Sequence, residues 1–220
     1  MPDPAVVHTV GARVHGRYVV RAPDGPPPWP LLVGFHGYAQ DASGHLDDLA
    51  QIPGALDWLI VSVQGLHRFY TRHDTIVASW MTREDRELAI ADNVDYVGRV
   101  LDDVRRRYPA GGPLVFEGFS QGGAMAYRAA AHYESQALIV LAADVPPDVA
   151  AATSVTLPPV LLGRGVSDAA YPEVKLMSDL SLLRQMGVRV SACSFDGAHE
   201  WSHAFREAAG AVLARVRSGL

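Results

Sequence analysis

Apolar and polar residues alternate in two distinct rhythms along this chain. Short, largely apolar runs recur at 30–35 (Pro-Leu-Leu-Val-Gly-Phe), 59–63, 114–119, 137–142 and 160–162, and Val188 to Phe195 reads as the last strand. Runs of that length without a polar face fit strands covered on both sides. Between them lie segments with helical spacing. The clearest is Glu84 to Tyr108, where Val94, Val97, Leu101, Val104 and Tyr108 recur every three or four residues and so share one face. Pro109-Ala110-Gly111-Gly112 then stops it. Leu46 to Ile52, the segment from Ala124 to about Tyr133, Glu173 to Met186 and His199 to Val216 predict further helices, and 146–159 predicts a loop with a short helical piece. Val14 to Arg21 alternates as an early antiparallel strand, Pro23 to Pro30 reads as a turn, and Gln64 to Met81 as a long loop rich in aromatics and histidines. Strand and helix alternation implies right-handed βαβ units and a mostly parallel sheet flanked by helices. No repeat or linker interrupts the pattern, so a single domain over 1–220 is expected.

Composition narrows the function classes. A hydrophobic content of 49% in 220 residues supports one sizeable core. The net charge of -5 and the lack of basic clusters interleaved with aromatics argue against a nucleic-acid partner. Arg105-Arg106-Arg107 is the one dense basic run, and it ends a predicted helix, where cations meet the negative end of the dipole. The lone cysteine, Cys193, excludes an intramolecular disulfide and is expected as a buried, inert thiol. Met1 to Val10 shows no leader pattern and no apolar stretch is long enough for a membrane span. A cytoplasmic protein without stable membrane insertion is therefore expected. A homodimer is left open.

One junction carries chemistry. The run Leu114-Val115-Phe116-Glu117 passes into Gly118-Phe119-Ser120-Gln121-Gly122-Gly123 and then into small helical residues. Gly-x-Ser-x-Gly between a strand and a helix is the nucleophile turn of α/β-hydrolases: the serine is thrust outward and the glycines avoid collisions. A serine hydroxyl needs a base, held in its tautomer by a carboxylate. In that fold the chain order is Ser, then Asp or Glu, then His. Of nine histidines, six precede the serine and His132 lies far along the following helix. His199, just after the last strand, is favoured over His203 one turn on. For the acid, Asp168 and Asp144 both follow strands. Asp168 is favoured, because its strand should neighbour that of the histidine. Backbone N–H groups of Gln121 and of Tyr38, after the His36-Gly37 strand end, are the expected oxyanion donors. His36 itself is expected to shape that loop. Phe69, Tyr70 and Trp80 are candidate walls of a substrate pocket.

A second motif competes. His199-Glu200-Trp201-Ser202-His203 fits H-E-x-x-H, which on a helix suits zinc. Arg206 and Ala209 occupy the positions of an extended zinc motif, and no downstream acidic ligand remains beyond the adjacent turn. No metal and no cofactor are expected. A zinc metalloprotease, like a non-catalytic binding protein, remains a remote alternative.

Together these residues resemble the phospholipase/carboxylesterase family of α/β-hydrolases, which includes acyl-protein thioesterases. The resemblance runs from about Pro30 to the C-terminus through Phe35-His36-Gly37, Ser79-Trp80, Gly118-Phe119-Ser120-Gln121-Gly122-Gly123, Asp168 and Gly197-Ala198-His199-Glu200. Gly16-Arg17-Tyr18-Val19-Val20 looks like the first strand of bacterial esterases of the group. The chain departs from the family at Tyr38, Ala198 and Met81-Thr82, which bear on the acyl pocket. The resemblance implies Ser120 as nucleophile, Asp168 as acid and His199 as base. The small size of the chain leaves little room for a large cap domain, so an open site and a small-molecule ester substrate of small or medium acyl length are expected. Acyl thioesters, lysophospholipids or peptides are the alternative substrates.

Overall fold

A computed structural model describes residues 5–219. The reading of Met1 to Val10 as free of a leader lies partly outside them. The strands are β1 (Arg17–Arg21), β2 (Trp29–Phe35), β3 (Leu59–Gln64), β4 (His67–Tyr70), β5 (Ile76–Ser79), β6 (Ala110–Phe119), β7 (Ala137–Leu141), β8 (Val160–Gly165) and β9 (Val190–Phe195). The helices are α1 (Ala42–Ala50), α2 (Arg86–Arg107), α3 (Gln121–His132), α4 (Pro147–Ala150), α5 (Glu173–Gln185) and α6 (His203–Arg217). Seven strands form one sheet in the order β1-β3-β2-β6-β7-β8-β9. Every neighbouring pair is parallel except β1 with β3. The apolar runs fill its centre: β3, β7 and β8 are buried along their whole length.

On α2, Val97, Leu101 and Val104 are buried, with Val94 and Tyr108 packed against the same core. The helix ends on Arg105, Arg106 and Arg107, and the last two pair with Asp103 at 2.6 and 2.7 Å. Between β3 and β6 the chain leaves the main sheet only for the β4–β5 hairpin and α2.

Several sequence expectations need correction. The stretch 64–81 is not a plain loop, because β4 and β5 pair antiparallel within it and Gln40 bridges to Ala78. Each strand has only four residues, and β4 is mostly exposed, so the pair leaves no apolar signature. Gly163-Arg164-Gly165 is not a turn but the end of β8. A Cβ at Gly163 would run into the Phe205 ring, and one at Gly165 into the Ala198 carbonyl, so close packing accounts for both glycines. The last helix begins at His203, not His199, capped by the Ser202 side chain, which accepts from the Phe205 N–H at 3.1 Å. Cys193 is half-buried rather than buried, and partial burial pushes its thiol up. Among the described residues no helix is long and apolar enough to cross a membrane.

Candidate active site

The serine turn is built by the collision of a strand end with a helix start. Ser120 has φ 53° and ψ -121°, a region that costs a non-glycine residue about 1–3 kcal/mol. Backbone bonds hold it there: Ser120 N–H donates to Leu141 O at 2.8 Å and Gly123 N–H donates to Ser120 O at 2.9 Å. The glycines on either side permit the approach. A Cβ on Gly118 would overlap the Gly122 carbonyl oxygen, and one on Gly122 would overlap Phe35 O and lie 2.5 Å from His36 O. α3 can therefore start hard against the ends of β2 and β6.

Two more strand ends bring the partners. His199 lies in the loop after β9, with Nε2 2.8 Å from Ser120 Oγ and Nδ1 2.8 Å from Asp168 Oδ2. Asp168 follows β8, and its other oxygen, Oδ1, accepts from the N–H groups of Ala170 and Tyr171 at 2.8 and 2.9 Å. Its carboxylate is fully buried, while a third of the His199 side chain is exposed. Burial by itself would raise the Asp168 pKa. The Tyr171 N–H, the imidazole and the Ala170 N–H outweigh it and hold the carboxyl below its ordinary value. Such an arrangement suits a carboxylate that stays charged beside an imidazole becoming imidazolium. The Phe119 ring lies 5.0 Å from that of His199.

Asp144 is elsewhere: exposed, and paired with Lys175 at 2.8 Å. His203 is also apart, at the start of α6, 88% exposed and 3.9 Å from Glu207. His199 and His203 do not share a helix face, because 199–202 is not helical, and both His199 nitrogens are occupied. Among the described residues no three metal-ligating side chains converge.

The loop after β2 is held from three sides. Gly37 N–H donates to Gln40 Oε1 at 2.7 Å, Ala39 N–H to Ala78 O, and Gln40 N–H to Gly37 O. This leaves the Tyr38 N–H without an internal acceptor among the described residues. Gln121 N–H, first in α3, also has no acceptor within the helix. The Gln121 side chain accepts from Trp80 N–H at 2.9 Å and meets Ser79 Oγ at 3.2 Å, pinning the helix start to the end of β5. His36 is buried beneath the loop. Gly65 N–H donates into its Nε2 at 3.0 Å, so Nδ1 carries the proton and donates to Gly37 O at 2.7 Å. Burial pushes its pKa down to about 4, and it stays neutral.

The three pocket candidates separate. Trp80 is no pocket wall: it is completely buried, packs on Phe35 and His36, and donates from Nε1 to His36 O at 2.8 Å. Tyr70 is 70% exposed at the far end of the hairpin, paired with Ile76. Phe69 is half-buried with its ring 5.6 Å from that of the exposed Tyr38, so these two form an aromatic ledge beside the loop. Burial of an aromatic within a predicted loop leaves no periodic trace, which is why Trp80 misleads. A groove of about 650 Å³ between 12–18 and α2 includes none of Ser120, Asp168 or His199. The hydrogen-bonded side chains, not this groove, mark the candidate site.

No protein-family model matches the chain, and the search of curated proteins gives no match. Solved structures do match. Esterase PE8 is 23% identical, with a TM-score of 0.72, over 92% of this chain and all of that one. The Bacillus cereus carboxylesterase is 18% identical, with a TM-score of 0.72, over 91% of this chain and 94% of its own. Zea mays acyl-protein thioesterase 2 is 18% identical, with a TM-score of 0.69, over 91% and 98%. The fold is that of the α/β-hydrolases.

Proposed function

We propose that this chain is a serine hydrolase of the phospholipase/carboxylesterase type that cleaves carboxylic esters of small or medium acyl chains. The observation that carries the reading is the unbroken relay from Ser120 Oγ through His199 to Asp168, two contacts of 2.8 Å each. Likeness to an esterase, a carboxylesterase and an acyl-protein thioesterase supports the same reaction class.

In this mechanism Ser120 Oγ attacks the acyl carbonyl while His199 Nε2 takes its proton. Asp168 holds the Nδ1–H tautomer and stabilises the imidazolium. The oxyanion of the tetrahedral intermediate accepts from the Tyr38 and Gln121 N–H groups, each worth ~100- to 1,000-fold in rate in comparable sites. The imidazolium then protonates the leaving alcohol. Water, activated by the same histidine, releases the acid and restores Ser120. No cofactor takes part. The short excursions between strands leave the site uncapped, and the Tyr38–Phe69 ledge flanks the substrate.

Acyl thioesters are the second reading, favoured by the Zea mays neighbour. A panel of p-nitrophenyl esters and acyl thioesters graded from two to sixteen carbons, with Ser120→Ala as blank, tests both. Turnover of esters peaking at short to medium chains is expected. Preference for long thioesters would replace the first reading with the second, and turnover unchanged in Ser120→Ala would overturn both.

A further inference from the structure

One buried carboxyl–imidazole pair has no part in the relay. Glu117 lies on β6, three residues before Ser120, and is fully buried. Its Oε2 lies in hydrogen-bond contact with His45 Nε2 at 2.8 Å, and both side chains are wholly shielded from solvent. Glu117 Oε1 and His45 Nδ1 have no partner among the described residues. Burial pushes the Glu117 carboxyl above its ordinary range. Gly34, paired with Glu117 in the sheet, forms the floor beneath the contact: a Cβ there would lie 2.9 Å from His45 Nε2 and 3.2 Å from Glu117 Oε2.

Such a pair is a poor source of stability, because apolar residues of similar volume generally do as well or better in a core. Its value is geometric, and its location gives it one. His45 sits one turn into α1, and its N–H donates to Asp41 O, where the Gly37–Asp41 loop ends. The His45 ring also lies 6.2 Å from that of Trp201, two residues after His199. Trp201 in turn lies under Arg206, which pairs with Asp48 of α1 at 2.8 Å. The segments bearing Ser120, the Tyr38 N–H and His199 thus converge on these two side chains.

We infer that Glu117 and His45 are positioning residues that set the spacing between the nucleophile strand, the oxyanion loop and the base loop. The inference rests on the proposed hydrolase reaction for its kinetic consequence and on the contacts alone for its structural one.

Two variants test it. Glu117→Asp keeps the carboxyl but withdraws it by one methylene. His45→Leu/Glu117→Leu removes the pair while retaining apolar bulk. Amide hydrogen exchange in 38–45 should quicken at least tenfold in Glu117→Asp, with β7 and β8 unchanged; this readout needs no turnover. On the best ester, kcat should fall at least tenfold in both variants with KM within twofold. Affinity for a trifluoromethyl ketone, which forms an oxyanion on Ser120, should weaken by the same factor. Glu117→Gln, which can still bond His45, should retain kcat within threefold. A folded Glu117→Asp or double variant with wild-type exchange and wild-type kcat, or a loss carried by KM, overturns the inference. Failure of the wild type to turn over any ester or thioester overturns the hydrolase reading instead, and the exchange result still decides this one. If the double variant does not fold, Glu117→Asp and Glu117→Gln decide it.

Discussion

His36 makes the stability of this protein depend on acid in a calculable way. Its imidazole is fully buried and neutral, with Nε2 accepting from Gly65 N–H and Nδ1–H donating to Gly37 O. Protonating Nε2 would set two donors face to face in a site shielded from bulk solvent. The pKa accordingly falls from 6.5 to about 4, with burial the main cause. In the unfolded chain the same group titrates near its ordinary value. The unfolded state therefore binds more protons between the two values, and stability is lost as pH falls through that window. The loss reaches about 2 kcal/mol at pH 5 and about 3 kcal/mol at pH 4, then levels off below the folded pKa. Urea unfolding of the wild type and His36→Gln at pH 7, 5 and 4 checks this. The variant should be less stable at pH 7, and the gap should close by roughly 2–3 kcal/mol on acidification. Parallel pH profiles for the two proteins would refute the reasoning, because they would mean that this imidazole does not titrate between the two states.

Other expectations follow from the same contacts. Asp168→Asn should reduce kcat by about 10,000-fold by stabilising the wrong imidazole tautomer, whereas Asp144→Asn, which removes only an exposed pair with Lys175, should stay within twofold in steady-state assays. Gly122→Ala must push α3 off β2, since its Cβ overlaps Phe35 O; we expect about 1–3 kcal/mol lost in thermal unfolding and a roughly 100-fold fall in kcat from the displaced Gln121 N–H.

The chemistry was more legible in the sequence than its support. Gly118-Phe119-Ser120-Gln121-Gly122 announces itself because a strained turn needs glycine at fixed offsets. Asp168 and His199 stand out as polar residues just beyond strands, and the structure joins Asp168 to His199 and His199 to Ser120. The hairpin of β4 and β5 was hidden because His67, Arg68, Tyr70 and Ile76 are exposed and carry no core pattern. Gly163 and Gly165 imitated a turn, since glycine serves close packing as well as bending. The helix start was legible in principle from Ser202, a good N-cap one residue before His203. Glu117 was visible as a lone charge in an apolar run, yet no local signal joins it to His45, 72 residues away.

The central claim is that Ser120 is an activated nucleophile. Its most direct measurement is the intact mass and peptide map of protein treated with a fluorophosphonate probe. One adduct per chain on Ser120, absent from Ser120→Ala and strongly slowed in His199→Ala, is the predicted result. An unmodified wild-type protein, or equal modification of Ser120→Ala, would contradict it.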